Sequence, residues 1–135
     1  MSKRAQPESF RARDLGASLT VSDIATSLAW YQDVMGFVVD REFAHEGKLM
    51  AASLKAGDVA ILLTQDDGGK GTDRLKGVGF SLQFTTAQNI DELATRIKAA
   101  GGMLESEPVD TPWGARVFRL RDPDGFKFVI SSGQG

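Results

Sequence analysis

Side chains capable of chemistry are few and scattered in this chain. The single histidine, His45, sits in "AHEGK" beside Glu46 and Gly47. That is a polar stretch of the kind that turns a hairpin, where an imidazole is solvated rather than a ligand or general base. The acidic pair Asp66-Asp67 stands in a glycine-rich segment and reads as a solvated loop rather than a cation site. There is no cysteine, so thiolate nucleophiles, disulfides and cysteine-held metals are out of reach. No Ser-His-Asp or Cys-His set and no dinucleotide glycine loop is present. "GGKG" at 68–71 lacks the following Ser or Thr and the strand-loop context of a phosphate loop. Asp58, Asp110 and Lys127 could do acid-base work in a groove, but none has a visible partner.

These residues hang on an element pattern that is written twice. "ASLTV" (17–21) alternates as a half-buried strand does. Ser22 or Asp23 then offers an N-cap for a helix with Ile24, Leu28, Tyr31 and Met35 at helical spacing, stopped by Gly36. Trp30 flanks that stripe, so Trp30-Tyr31 reads as packing or dimer surface. Three strand-like pieces follow, at 37–43, 48–57 and 58–65. The segment 66–77 carries four glycines and reads as a joint. Beyond it comes a strand over 78–86, a helix over 89–100 ending at Gly101-Gly102, and strands near 103–109, 115–121 and 126–132. The unit β-α-β-β-β thus recurs after about 65 residues.

Two such units are expected to curve into one mixed sheet, an incomplete α+β barrel around a cleft, with helices on the outer side. Alternation puts Ala17, Leu19, Val21, Phe80, Leu82 and Phe84 under the helices. Gly16, Ser18, Thr20, Gly79, Ser81 and Gln83 then face the cleft. Small and polar groups there leave room for a ligand. Residues 1–14 are expected to be a flexible tail and 15–135 a single domain, with unit one at about 15–65 and unit two at about 78–132.

Composition agrees with that scale. A chain of 135 residues with 41% hydrophobic and 25% charged content suits one globular domain. A net charge of −2 gives no reason to expect a nucleic-acid or anionic-membrane partner. No apolar run approaches the roughly 20 residues that span a bilayer. The start has no apolar signal region, and the protein is expected in the cytoplasm.

Three stretches, in order, carry a family resemblance. "VSDIATSLAWYQDVMGF", "IKAAGG" and "TPWGARVFRLRDPDGFKFVI" resemble the first helix, the end of the second helix and the closing hairpin of the vicinal oxygen chelate superfamily. That superfamily groups glyoxalase I, bleomycin-resistance proteins and extradiol dioxygenases. The similarity covers about residues 15–132. In "DPDG", Asp122, Pro123 and Gly125 have the chemistry of a tight turn, which holds shape and does no catalysis.

Metal-using members place four His or Glu ligands on the inner faces of strands 1, 4, 5 and 8. The resemblance puts those positions at Gly16, Leu62, Gly79 and Val129, whose side chains have no lone pair to donate. It therefore implies a metal-independent member with no cofactor. Such a member would hold an apolar or aromatic organic compound in the cleft, in the manner of antibiotic-resistance binders. The expected ligand contacts are Ser18, Leu62, Ser81, Gln83, Trp113, Arg116, Phe118 and Val129. Trp113 either stacks on a flat ligand or plugs the hairpin end. Arg116 pairs with a ligand anion or with a surface carboxylate. Arg116 and Phe118 are expected to share a face with Val129, unless a bulge at Gly125 shifts the register by one. The alternatives are an enzyme of the superfamily (lyase, isomerase or dioxygenase) with a relocated metal or acid-base chemistry, and a regulatory module with a vestigial groove. Members of the superfamily pair as homodimers, and the same is expected here.

Overall fold

The computed structural model describes residues 10–69 and 75–133. The tail expected at 1–14 lies outside the described residues as far as residue 9, as do residues 70–74 of the joint, with Lys70 and Gly71 of "GGKG". Residues 10–16 are exposed and without regular structure.

The first unit is β1 (Ala17–Val21), α1 (Ile24–Asp33), β2 (Val38–His45), β3 (Lys48–Ala56) and β4 (Val59–Gln65). The second is β5 (Leu82–Thr85), α2 (Ile90–Ala99), β6 (Leu104–Asp110), β7 (Arg116–Arg121) and β8 (Lys127–Ser131). The duplicated order is as expected. The strands form two sheets of four, in the orders β1-β4-β3-β2 and β5-β8-β7-β6, rather than one. In each, the first strand lies parallel to the last and the other pairs are antiparallel.

Local chemistry sets the helix ends. The Asp23 carboxylate accepts from the N–H groups of Ala25 and Thr26, and Asn89 accepts from Glu92 at 2.9 Å. Asp91 and Glu92 in the first turn of α2, with Arg96 and Lys98 in its last, complement the helix dipole. The strand expected over 78–86 shrinks to β5. Gly77 and Gly79 adopt left-handed φ of +72° and +88°, and the parallel pairing with β8 starts only at Leu82 opposite Phe128.

One apolar cluster spans both units on the helix side of the sheets. At its centre the buried Tyr31 ring lies edge-on to Trp30, Phe37 and Phe128, at 4.9, 5.5 and 5.9 Å between centroids. Trp30 stacks on Phe128 at 6.3 Å and Phe37 meets Phe84 at 6.1 Å. Helix α1 therefore packs on its own sheet and against the second unit as well. Aromatic contacts in this helix-side cluster join the units, while on the inner faces Ser18, Gln83 and Arg119 are exposed and Val117 and Ser131 are buried.

Candidate functional site

The inner faces can be read from strand register. In unit one, Ser18 lies beside Leu62, and Ser53 of β3 lies on Leu62's other side. Thr20 lies beside Thr64, with their hydroxyl oxygens 3.3 Å apart. In unit two, Gln83 lies beside Val129, and Arg119 of β7 is opposite Val129. Leu62 and Val129 are half-buried, while Ser18 and Gln83 are exposed. Four of the eight residues expected at the ligand thus fall into two neighbouring pairs, each an apolar side chain beside a polar one. Gly16 precedes β1, and Gly79 sits in the turn before β5. Among the described residues, no three His, Asp or Glu side chains lie together as a metal would need.

The remaining expectations fare differently. Ser81 is exposed and lies just before β5, so it is not a strand-face residue. Phe118 pairs with Ile130, not with Val129, and at 0% exposure it belongs to the core. The register is displaced by one from that expected, which turns Arg119 and Arg121 inward and Arg116 and Phe118 toward the helices. Arg116 accordingly donates to the Asp91 carboxylate on α2 at 2.8 and 2.9 Å and to Asp110 at 3.0 Å. Its hydrogen bonds hold the Asp91 carboxyl below the usual carboxylate range. Trp113 is 61% exposed in the β6–β7 turn, so it does not plug the hairpin.

The acid-base candidates are not brought together. Asp110 is tied to Arg116, Asp58 lines one cavity and Lys127 another. His45 is solvated, 3.9 Å from Glu46. Asp66 departs from the solvated reading. It accepts from Lys76 Nζ at 2.6 Å, with both side chains nearly buried, so it anchors the joint to the second unit's entry. Asp67 accepts from the Gly69 N–H.

Three polar links escaped the sequence. Gln65 closes the start of α1, its Oε1 accepting from Ile24 N–H at 2.9 Å and its Nε2 donating to the Ser22 carbonyl at 2.8 Å. Ser22 donates its N–H and hydroxyl to Asp124 of the closing hairpin. The Tyr31 hydroxyl donates to Asp122 at 2.8 Å inside the core, and the same carboxylate accepts from the N–H groups of Asp124 and Phe126. Burial, together with the neighbouring Asp122 charge, pushes the Tyr31 hydroxyl far above its ordinary range. A Tyr at helical spacing and a "DPDG" turn were each legible, but nothing in one sequence couples positions 31 and 122.

Two cavities border the unit junction. One, of about 570 Å³, lies on the helix side between Phe37, Phe84, Ile97 and Ile130, with Asp58 and Arg96 among its polar lining. The other, of about 500 Å³, is lined by Ser22, Lys76, Gly77, Arg121, Asp124 and Lys127 among others. Neither is lined by any of the eight expected contacts.

Residues 15–130 match the model of the Glyoxalase/Bleomycin resistance protein/Dioxygenase superfamily, and the chain belongs to that family. Its fold is shared with a superfamily member from Sphaerobacter thermophilus (22% identity over 90% of this chain and 97% of that one, TM-score 0.73). It is likewise similar to TioX from Micromonospora sp. ML1 (23%, 89% and 98%, 0.70). The virulence protein STM3117 from Salmonella typhimurium is 28% identical over 91% of this chain and 98% of that one, with a TM-score of 0.67. No curated protein matches the chain. No helix among the described residues is long and apolar enough to cross a membrane.

Proposed function

We propose that this protein is a metal-independent, cytoplasmic small-molecule-binding member of the superfamily, which holds an apolar or aromatic organic compound against the inner faces of its sheets. The observation that carries the reading is the pairing of Leu62 with Ser18 and of Val129 with Gln83 on those faces. By the family resemblance, metal-using members carry electron-pair donors at the positions that Leu62 and Val129 occupy here. Aliphatic walls with one polar neighbour each suit a ligand held by shape and a few hydrogen bonds. The exposed positions on the inner faces also support a homodimer, in which a second copy covers what one chain leaves exposed.

The experiment is a thermal-shift screen of aromatic and aliphatic compounds, with metal analysis of protein purified without added metal. A bound compound at a hundredfold excess over its Kd raises stability by about 2.7 kcal/mol. Val129→Lys abolishes that shift for the hit compound, whereas Val59→Lys, at the helix-side cavity, retains it. The opposite pattern would move the site to that cavity. Stoichiometric zinc, nickel or iron in the purified protein would overturn metal independence.

A further inference from the structure

The inner face of the second unit carries a charge pattern that an apolar binding surface does not need. Register places Arg121 directly opposite Lys127 and Arg119 opposite Val129, so three cations and Val129 share one face of two adjacent strands. Like charges directly opposite each other destabilise a sheet. Only Arg121 has an ion-pair partner, Glu105, at 2.7 Å. Arg119 and Lys127 have none among the described residues. On the helix side Arg116 and Lys98 are each paired, while Arg96 at the helix-side cavity has no ion pair among the described residues. The chain as a whole has a net charge of −2, so the excess here is local.

Arg121 and Lys127 also line the cavity of about 500 Å³ at the end of this face. Its third cation, Lys76, is neutralised by Asp66. Its one carboxylate, Asp124, is turned to Ser22, from whose N–H it accepts at 3.1 Å. Of the cavity's cations Lys127 alone has no ion-pair partner among the described residues, and Arg119, which lies outside the cavity opposite Val129, is the second such cation on this face.

We infer that this face is an anion-holding subsite, and that the ligand is an organic acid ionised at neutral pH: a hydrophobic or aromatic body against Leu62 or Val129, with a carboxylate or sulfonate at Arg119 and Lys127. The inference rests on the proposed function, since it assigns a charge to the ligand of that same surface. A guanidinium and an ammonium fit such a group because both donate charge-assisted hydrogen bonds to oxyanions.

The test uses two dyes of nearly the same shape, 8-anilino-1-naphthalenesulfonate and its neutral counterpart N-phenyl-1-naphthylamine. Their binding is followed by fluorescence on the full chain and on the variants Lys127→Met, Arg119→Met and Lys98→Met. The sulfonate is expected to bind about tenfold more tightly than the naphthylamine at low salt, with the gap closing as ionic strength rises. Lys127→Met and Arg119→Met should each weaken the sulfonate by about three- to tenfold and leave the naphthylamine within about twofold. Lys98→Met, a helix-side control, should change neither. Equal affinities for the two dyes, or an equal loss in Lys98→Met, would overturn the anion subsite and leave the proposed function standing. Binding of neither dye would count against both.

Discussion

Replacing Tyr31 by Phe removes one oxygen from the interior and tests how the two units are joined. The hydroxyl donates at 2.8 Å to Asp122, and both residues are buried. A hydrogen bond to a charged partner contributes about 1.5–3 kcal/mol, and its loss leaves Asp122 with only the two turn N–H donors. For a chain of 135 residues the unfolding entropy near the midpoint is on the order of 0.3 kcal/mol per kelvin. A loss of about 2 kcal/mol then lowers the midpoint by about 7 °C. Burial holds the Asp122 carboxyl above its ordinary range, although the three hydrogen bonds that it accepts pull it back. A carboxyl that is raised in the folded state makes stability fall as pH climbs from the ordinary carboxylate value to the folded one. Losing the Tyr31 donor raises it further. The penalty of Tyr31→Phe should therefore be smallest in acid, where Asp122 is protonated folded and unfolded, and should grow as pH rises through the folded value. Urea unfolding of both proteins at about pH 4 and about pH 7, followed by tryptophan fluorescence, measures this. A penalty under about 0.5 kcal/mol at neutral pH, or one that is larger in acid, would refute the reasoning.

Gly102→Ala should destabilise by about 1–3 kcal/mol in the same assay, because its Cβ would stand 2.5 Å from Ile97 Cγ2, 2.7 Å from Val34 Cγ1 and 3.0 Å from the Ile97 carbonyl oxygen; an unchanged urea midpoint would contradict that packing. Phe118→Ala should cost about 3–5 kcal/mol, as a core truncation does. A stable Phe118→Ala protein that had merely lost ligand would restore the residue to the site. Arg116→Met should leave dye binding unchanged, because its guanidinium is engaged by Asp91 and Asp110 on the helix side; weakened binding in a titration would place it back at the ligand.

The duplicated unit could be read in the sequence because each helix carries its own boundary signals: Asp23 and Gly36 for one, Gly101-Gly102 for the other. The pairs Ser18–Leu62 and Gln83–Val129 were accessible for a related reason, since side chains in a strand alternate and a motif of known spacing fixes the count. The errors fall where spacing stops being informative. One residue of displacement across the Asp122–Phe126 turn exchanged Arg116 and Phe118 for Arg119 and Arg121, because a slip of one inverts the face of a whole strand. Val78 and Phe80 continue the alternation of β5 in sequence. They have no partner strand, since β8 begins at Lys127. Asp66 looked solvated because its partner Lys76 lies ten residues away, across a joint without periodicity.

How the units are joined bears directly on what the protein can bind. Helix α1 contributes Trp30 and Tyr31 to an aromatic cluster with Phe84 and Phe128 of the other unit, and Tyr31 adds a hydrogen bond to the closing turn. That cluster consumes the apolar side of both sheets. The inner faces carry aliphatic Leu62 and Val129, neutral Ser18 and Gln83, and a cationic edge at Arg119 and Lys127, beside buried Val117 and Ser131. The aliphatic positions gain from being covered, while the cations resist burial in a dry interface unless an anion accompanies them. A second copy of the chain, presenting the same cations, could cover the first group but could not neutralise the second. On the proposed reading a small amphiphilic acid does both at once, and that is the argument for a ligand site there rather than an interface alone.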